Sequence, residues 1–121
     1  MTIAIIAVTG VFFLGMGVYA LAAPAALIRP FGIELGSAIS RAEVRAVYGG
    51  FGVAIAAVLA YAATAPSAVQ TGILVTVGAA LAGMAAGRIA SAALGDRTPF
   101  YPNWFYAILE AVAAAALFAV A

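Results

Sequence analysis

Four long apolar runs dominate the chain, at about residues 2–23, 41–63, 69–94 and 102–121, each divided from the next by a short stretch carrying Pro, Gly or charge. Each has about the 20 residues that an α-helix needs to cross a hydrocarbon core. The pattern predicts an all-α fold, an integral membrane bundle of four transmembrane helices forming a single domain over residues 1–121. The first run has no basic segment ahead of it and exceeds the apolar part of a usual signal peptide, so it reads as a retained span. Pro24 and Arg29-Pro30 break the chain after it. That connection is too interrupted for a continuous helix and too apolar for a solvated loop, which predicts an interfacial segment.

Small residues recur every fourth position inside the later runs: Ala46, Gly50 and Ala54, then Ala79, Gly83, Gly87 and Ser91, then Ala107, Ala111, Ala115 and Ala119. Such ladders let helix backbones approach closely in lipid and predict the packing faces of the bundle. The Gly83–Gly87 pair is a GxxxG motif, so a homo-oligomer seam through it is the alternative. Ser40 reads as an N-cap with Glu43 at the capping-box position. Ala65-Pro66-Ser67 reads as a tight turn, Gly95 to Pro99 as a surface turn, and the aromatic group from Phe100 to Tyr106 as an interfacial belt.

Composition agrees with the pattern and removes several function classes. Hydrophobic residues make up 68% of the chain and charged ones 7%, against about 25% charged in soluble domains. A net charge of +1 provides no basic surface for nucleic acid. The absence of Cys and His excludes disulfides, thiol chemistry, His-ligated haem and ordinary zinc sites, and no cofactor or metal is implied. All five basic residues are Arg, and they lie in or beside the first and third connections. The positive-inside rule then puts those connections in the cytoplasm and both termini outside.

The candidate chemistry gathers at that cytoplasmic end. Arg41, Arg45 and Tyr48 share one face of the second helix, with Glu43 roughly opposite. Arg88 lies about 9 Å inside the third run and Glu110 about 12 Å inside the fourth, measured from the same membrane face at about 1.5 Å per residue. Asn103, Tyr106 and Glu110 share a face. An isolated ionised group costs about 2.5–3.5 kcal/mol near the centre of a span, so opposite charges at matching depth predict a pair. Arg41, Glu43, Arg45, Tyr48, Arg88, Asn103, Tyr106 and Glu110 thus form a predicted polar cluster. It is either a staple that fixes the order of the helices or the lining of a pocket open to the cytoplasmic side.

The Arg-x-Glu-x-Arg-x-x-Tyr-Gly-Gly entrance to the second helix, the Gly-Arg-Ile-x-Ser segment at Gly87 to Ser91, the Gly-Asp-Arg-x-Pro turn and the Glu of the fourth helix occur in this order. Together they resemble the bacterial membrane family called domain of unknown function 4345, similar in layout to the wider DoxX-like four-helix proteins. The resemblance implies a multi-pass protein of the bacterial inner membrane with a polar cluster at Arg41, Glu43, Arg45, Tyr48, Arg88 and Glu110. It implies no reaction. The leading functional reading is a membrane protein that binds a lipid or other amphiphile, with its head at the arginines, whose planar forks suit carboxylate or phosphate. The alternatives are a small proton-coupled transporter acting as a homodimer, with Glu110 exchanging the proton, and a structural or chaperone-like membrane partner. An enzyme using Glu43 or Glu110 as general acid or base would lack a His, a Cys or a nucleophile beside a base.

Overall fold

A computed structural model describes residues 1–121. It holds five helices and no strand: α1 (Thr2–Ala22), α2 (Pro24–Ile28), α3 (Ala38–Ala62), α4 (Ser67–Ala93) and α5 (Phe100–Val120). All but α2 are long and apolar enough to cross a membrane. The expected count of four helices is therefore corrected to five. Ala23 leaves the helical region at φ −141° and ψ 68°, which ends α1. Pro24 then starts a new helix at the first position, where its missing N–H is not needed. Pro24 and Ile28 are buried, so this one-turn helix is part of the packed structure. A 3₁₀ turn at Arg29–Phe31 closes on Gly32, whose φ of 74° suits a residue without Cβ.

The start of α3 is also corrected. Ser37, not Ser40, is the N-cap, and its hydroxyl accepts the Ser40 N–H at 3.1 Å while the Ser40 hydroxyl accepts the Ser37 N–H at 3.2 Å. Because Ser40 closes this reciprocal box itself, Glu43 has no capping duty and stays exposed. A π-helical stretch, Arg45–Gly50, then inserts one extra residue per turn into α3. The buried stripe steps by five residues across it, from Val44 to Gly49, and continues through Gly52, Ala56 and Leu59. The ladder Ala46, Gly50 and Ala54 is left outside.

Two tightly packed pairs, α1 with α3 and α4 with α5, make up the bundle. Between α1 and α3 the backbones nearly touch: a Cβ on Gly17 would lie 2.7 Å from the Val53 nitrogen, and one on Gly52 would lie 2.9 Å from the Phe13 carbonyl oxygen. In the other pair, the buried stripe of α4 runs through Leu74, Val77, Gly78, Leu81 and Ala85, and that of α5 through Ala107, Glu110, Ala114 and Leu117. The Phe118 ring fills the space beside Gly78, where a Cβ would come within 2.8 Å of it.

The other two ladders fail as intrachain packing faces. Ala79, Gly83 and Gly87 are exposed, as are Ala111, Ala115 and Ala119. Nothing lies within 4 Å of a Cβ built on Gly83 or Gly87. In a chain this rich in alanine and glycine, nearly every helix face carries small residues at helical spacing, and the faces that pack are those where large and small side chains interdigitate.

Helix ends are tied across the chain. The Arg45 Nε donates to the Leu21 carbonyl at 3.0 Å and the Gln70 Nε2 to the Ala62 carbonyl at 2.9 Å, satisfying acceptors in the last turns of α1 and α3. The dense core gathers toward the end that holds the α3–α4 turn, around the fully buried Leu59, Leu74 and Leu117. The opposite end carries the charged side chains.

Candidate functional site

Arg88 and Glu110 meet as a bidentate pair. Arg88 Nε donates to Glu110 Oε1 at 2.7 Å, and its Nη2 donates to Oε2 at 3.2 Å. The helices make this possible because α4 and α5 run antiparallel from the Gly95–Pro99 turn, which brings two residues at similar depth to one level. Glu110 is 3% exposed and lies in the packing stripe of α5, between Ala107 and Ala114. Ala107, expected on the packing ladder, and Glu110, expected on the face with Asn103 and Tyr106, thus share one buried stripe, which corrects the assignment of the ladder as the packing face. Arg88 keeps 21% of its side chain exposed. Its remaining terminal nitrogen donates to Asn103 Oδ1 at 3.4 Å, long for a charge-assisted hydrogen bond.

Two aromatic faces hold the guanidinium in place. Its carbon lies 5.7 Å from the centroids of both Phe31 and Tyr106, within cation–π range, and the two rings are themselves 5.6 Å apart. Phe31 comes from the segment after α2, so the α1–α3 connection reaches the charged group on α4. Tyr101 and Phe105 extend the aromatic cluster to the surface, with centroids 6.1 Å and 5.2 Å from Tyr106.

The pair forms the polar end of a cavity of about 470 Å³, within the size range of small-molecule sites. Phe12, Gly15 and Met16 of α1, Leu27 of α2 and Met84 of α4 line its apolar body. Tyr19, Tyr48, Tyr101 and Tyr106 bring phenol groups to it. Arg88 and Glu110 are its only charged lining residues. Val11 and Tyr19, 69% and 49% exposed, stand at its rim, so the cavity opens on the outer surface of the bundle. Glu110 also borders a second, nearly apolar cavity of about 100 Å³ with Val8, Thr9 and Phe12.

Of the eight residues expected to cluster, Arg88, Asn103, Tyr106 and Glu110 come together in direct contact, and Tyr48 lines the same cavity. Arg45 is turned to the end of α1 instead. Arg41 and Glu43 are exposed and line neither cavity. The π-helical stretch starts just after them, so spacings counted on an ideal helix misplace Tyr48 relative to Arg41, with which it was expected to share a face. Sequence reasoning missed Phe31, Tyr101, Gly15 and Met84. The aromatic residues beside Pro30 and Pro102 were the available signal, but a belt at the interface has the same composition as an aromatic cage.

No three acidic residues converge and the chain has no His or Cys, so the site offers no metal cage. Both oxygens of the Glu110 carboxylate are engaged by the Arg88 fork.

A family model described as a domain of unknown function, DUF4345, matches residues 1–121. The chain belongs to the DUF4345 family. The match covers both helix pairs and every residue of the cavity, as the motif-based resemblance implied. No curated protein and no solved structure matches this DUF4345 chain.

Proposed function

We propose that this DUF4345 protein is a multi-pass protein of the bacterial plasma membrane that holds a lipid-like amphiphile in the cavity. The molecule's chain lies against the apolar groups of α1, α2 and α4, and its head meets Arg88 and Glu110. One observation carries the reading: a single cavity has an apolar body, an exposed rim and an ion pair as its only charged end. Ionisable residues inside a span are costly, and they persist where they contact one another or a pathway.

The test fills the cavity without disturbing the bundle. Gly15 lines it and a Cβ at that position would have nothing within 4 Å, so Gly15→Leu places a side chain into open space. The substitution also replaces a helical glycine, which favours the helix by about 1 kcal/mol at most. Gly15→Leu should keep or slightly raise thermal stability in mild detergent, while native mass spectrometry shows loss of co-purifying lipid. Undiminished lipid in the folded variant would remove the cavity as the binding site.

Membrane insertion makes a separate demand. The α3–α4 turn and the α4–α5 turn lie at opposite ends of the bundle. Cysteines introduced at Ser67 and Thr98 should therefore react with an impermeant thiol reagent from opposite sides, with Thr98 on the cytoplasmic side. Labelling of both from one side would overturn the four-span arrangement.

A second reading, a homodimeric proton-coupled transporter, draws support from the exposed stripe of Ala79, Gly83 and Gly87, which leaves a close-approach face without an intrachain partner. Gly83→Leu or Gly87→Leu should then lower the subunit count in native mass spectrometry.

A further inference from the structure

We infer that the amphiphile this site takes is anionic, with a carboxylate, phosphate or sulfonate head, and that its binding at Arg88 is accompanied by uptake of one proton on Glu110. The inference rests on the proposed cavity function and adds the class of ligand and its linkage to pH.

The first step is geometric. Arg88 is the only cation lining the cavity, and its fork already binds a planar oxyanion in bidentate fashion, that of Glu110. Phe31 and Tyr106 fix the plane of the guanidinium. The side of the fork toward Asn103 makes only the 3.4 Å contact, so donors on that side are available to a second oxyanion entering from the cavity.

The second step is charge balance. Arg88 and Glu110 as an ion pair carry no net charge. A bound anion would leave the site with a net negative charge beside a carboxylate that is 3% exposed, and the ligand itself would fill the space through which water reaches the pair, so the repulsion would be weakly screened. A proton from solvent on a Glu110 oxygen restores neutrality. The new O–H donates to the ligand's head group while Arg88 donates its N–H groups, so two oxyanions no longer compete for one cation. No covalent bond to carbon or phosphorus forms or breaks.

The third step is that no other group can absorb the charge. Around Glu110 the titratable groups are Arg88 on α4, Tyr19 on α1, Tyr48 on α3, and Tyr101 and Tyr106 on α5. Phenols and guanidinium groups as classes do not change charge near neutral pH. Thr9 of α1, on the far side of Glu110, does not titrate. Arg45 is held at the Leu21 carbonyl. Glu110 is left as the site of uptake.

The experiment is calorimetric titration of the full chain, in a detergent with an uncharged head, with decyl sulfonate as the probe. A sulfonate stays ionised throughout the working pH range, so any proton taken up belongs to the protein. Titrations in two buffers of different ionisation enthalpy count that proton. The expected result is uptake of about one proton, with Kd weakening about tenfold per pH unit as pH rises where free Glu110 is ionised. Decanol, with the same chain and no charge, should bind more weakly and without proton uptake. Methanesulfonate, with the head and no chain, should not bind measurably. Glu110→Gln should bind decyl sulfonate more tightly than the parent and independently of pH; should that variant not fold, the proton count on the parent protein decides alone.

Decyl sulfonate binding without proton uptake would overturn the inference. So would preferential, pH-independent binding of decanol, although the cavity would remain an amphiphile site. Uptake with methanesulfonate matching that with decyl sulfonate would show a simple anion site and overturn the amphiphile. Failure of both decyl probes to bind would instead remove the cavity function on which the inference stands.

Discussion

Glu110→Gln is expected to destabilise the protein more than any other single polar substitution in the bundle. The amide cannot offer two anionic oxygens to Arg88, and the arginine cannot shed its proton to escape the loss. Leaving one member of a buried ion pair unpaired costs about 3–5 kcal/mol in a dry site. The cost here should fall toward the lower end, because 21% of the Arg88 side chain is exposed and the cavity can admit water. Arg88→Met should also be destabilising, since it strands the carboxylate of Glu110. The double variant should recover part of the loss, because an apolar and a neutral residue need no partner, and a double-mutant cycle of thermal or denaturant unfolding measures the coupling. Additive losses would show that the contact carries no mutual stabilisation. The same double variant separates staple from pocket: if it folds and still carries its lipid, the pair only orders the helices.

The second large effect is expected at Gly17. Its Cβ would have to occupy space 2.7 Å from the Val53 nitrogen and 2.8 Å from the Gly49 carbonyl oxygen, and these are backbone atoms that cannot rotate away. Gly17→Ala must therefore push α1 from α3 along their whole contact. Overpacking typically costs about 1–3 kcal/mol, and a backbone clash belongs at the top of that range. Gly52→Ala, 2.9 Å from the Phe13 carbonyl oxygen, should behave similarly. Gly83→Leu and Gly87→Leu serve as controls, since nothing lies within 4 Å of either position in one chain. Thermal unfolding in detergent should rank Gly17→Ala and Gly52→Ala well below the parent and leave the two leucine variants near it. A stable Gly17→Ala would refute the close approach of α1 and α3.

The four long apolar helices and the family were legible in the sequence, and so was the meeting of Arg88 with Glu110. Burying a charge in an apolar span is costly enough that residue type and depth alone indicate a partner, and the two side chains meet at 2.7 Å. Hydrophobic length is likewise a property of each segment by itself, so it needs no knowledge of neighbours.

Packing faces and cavity lining were decided only in three dimensions. Alanine and glycine occupy so many positions that helical spacing did not distinguish the buried Gly49 and Gly52 from the exposed Gly50, or the packed Gly78 from the exposed Gly83. The π-helical stretch at Arg45–Gly50 rotated the later part of α3 relative to Arg41 and Glu43, and no ideal-helix count anticipates an inserted residue. Phe31 reached Arg88 because Pro24 turned the connection into a short helix packed with the bundle. Charge and hydrophobicity act locally and are written in the residue types, whereas which small residue meets which large one depends on the mutual rotation of helices, and that is fixed by all the contacts of the bundle together.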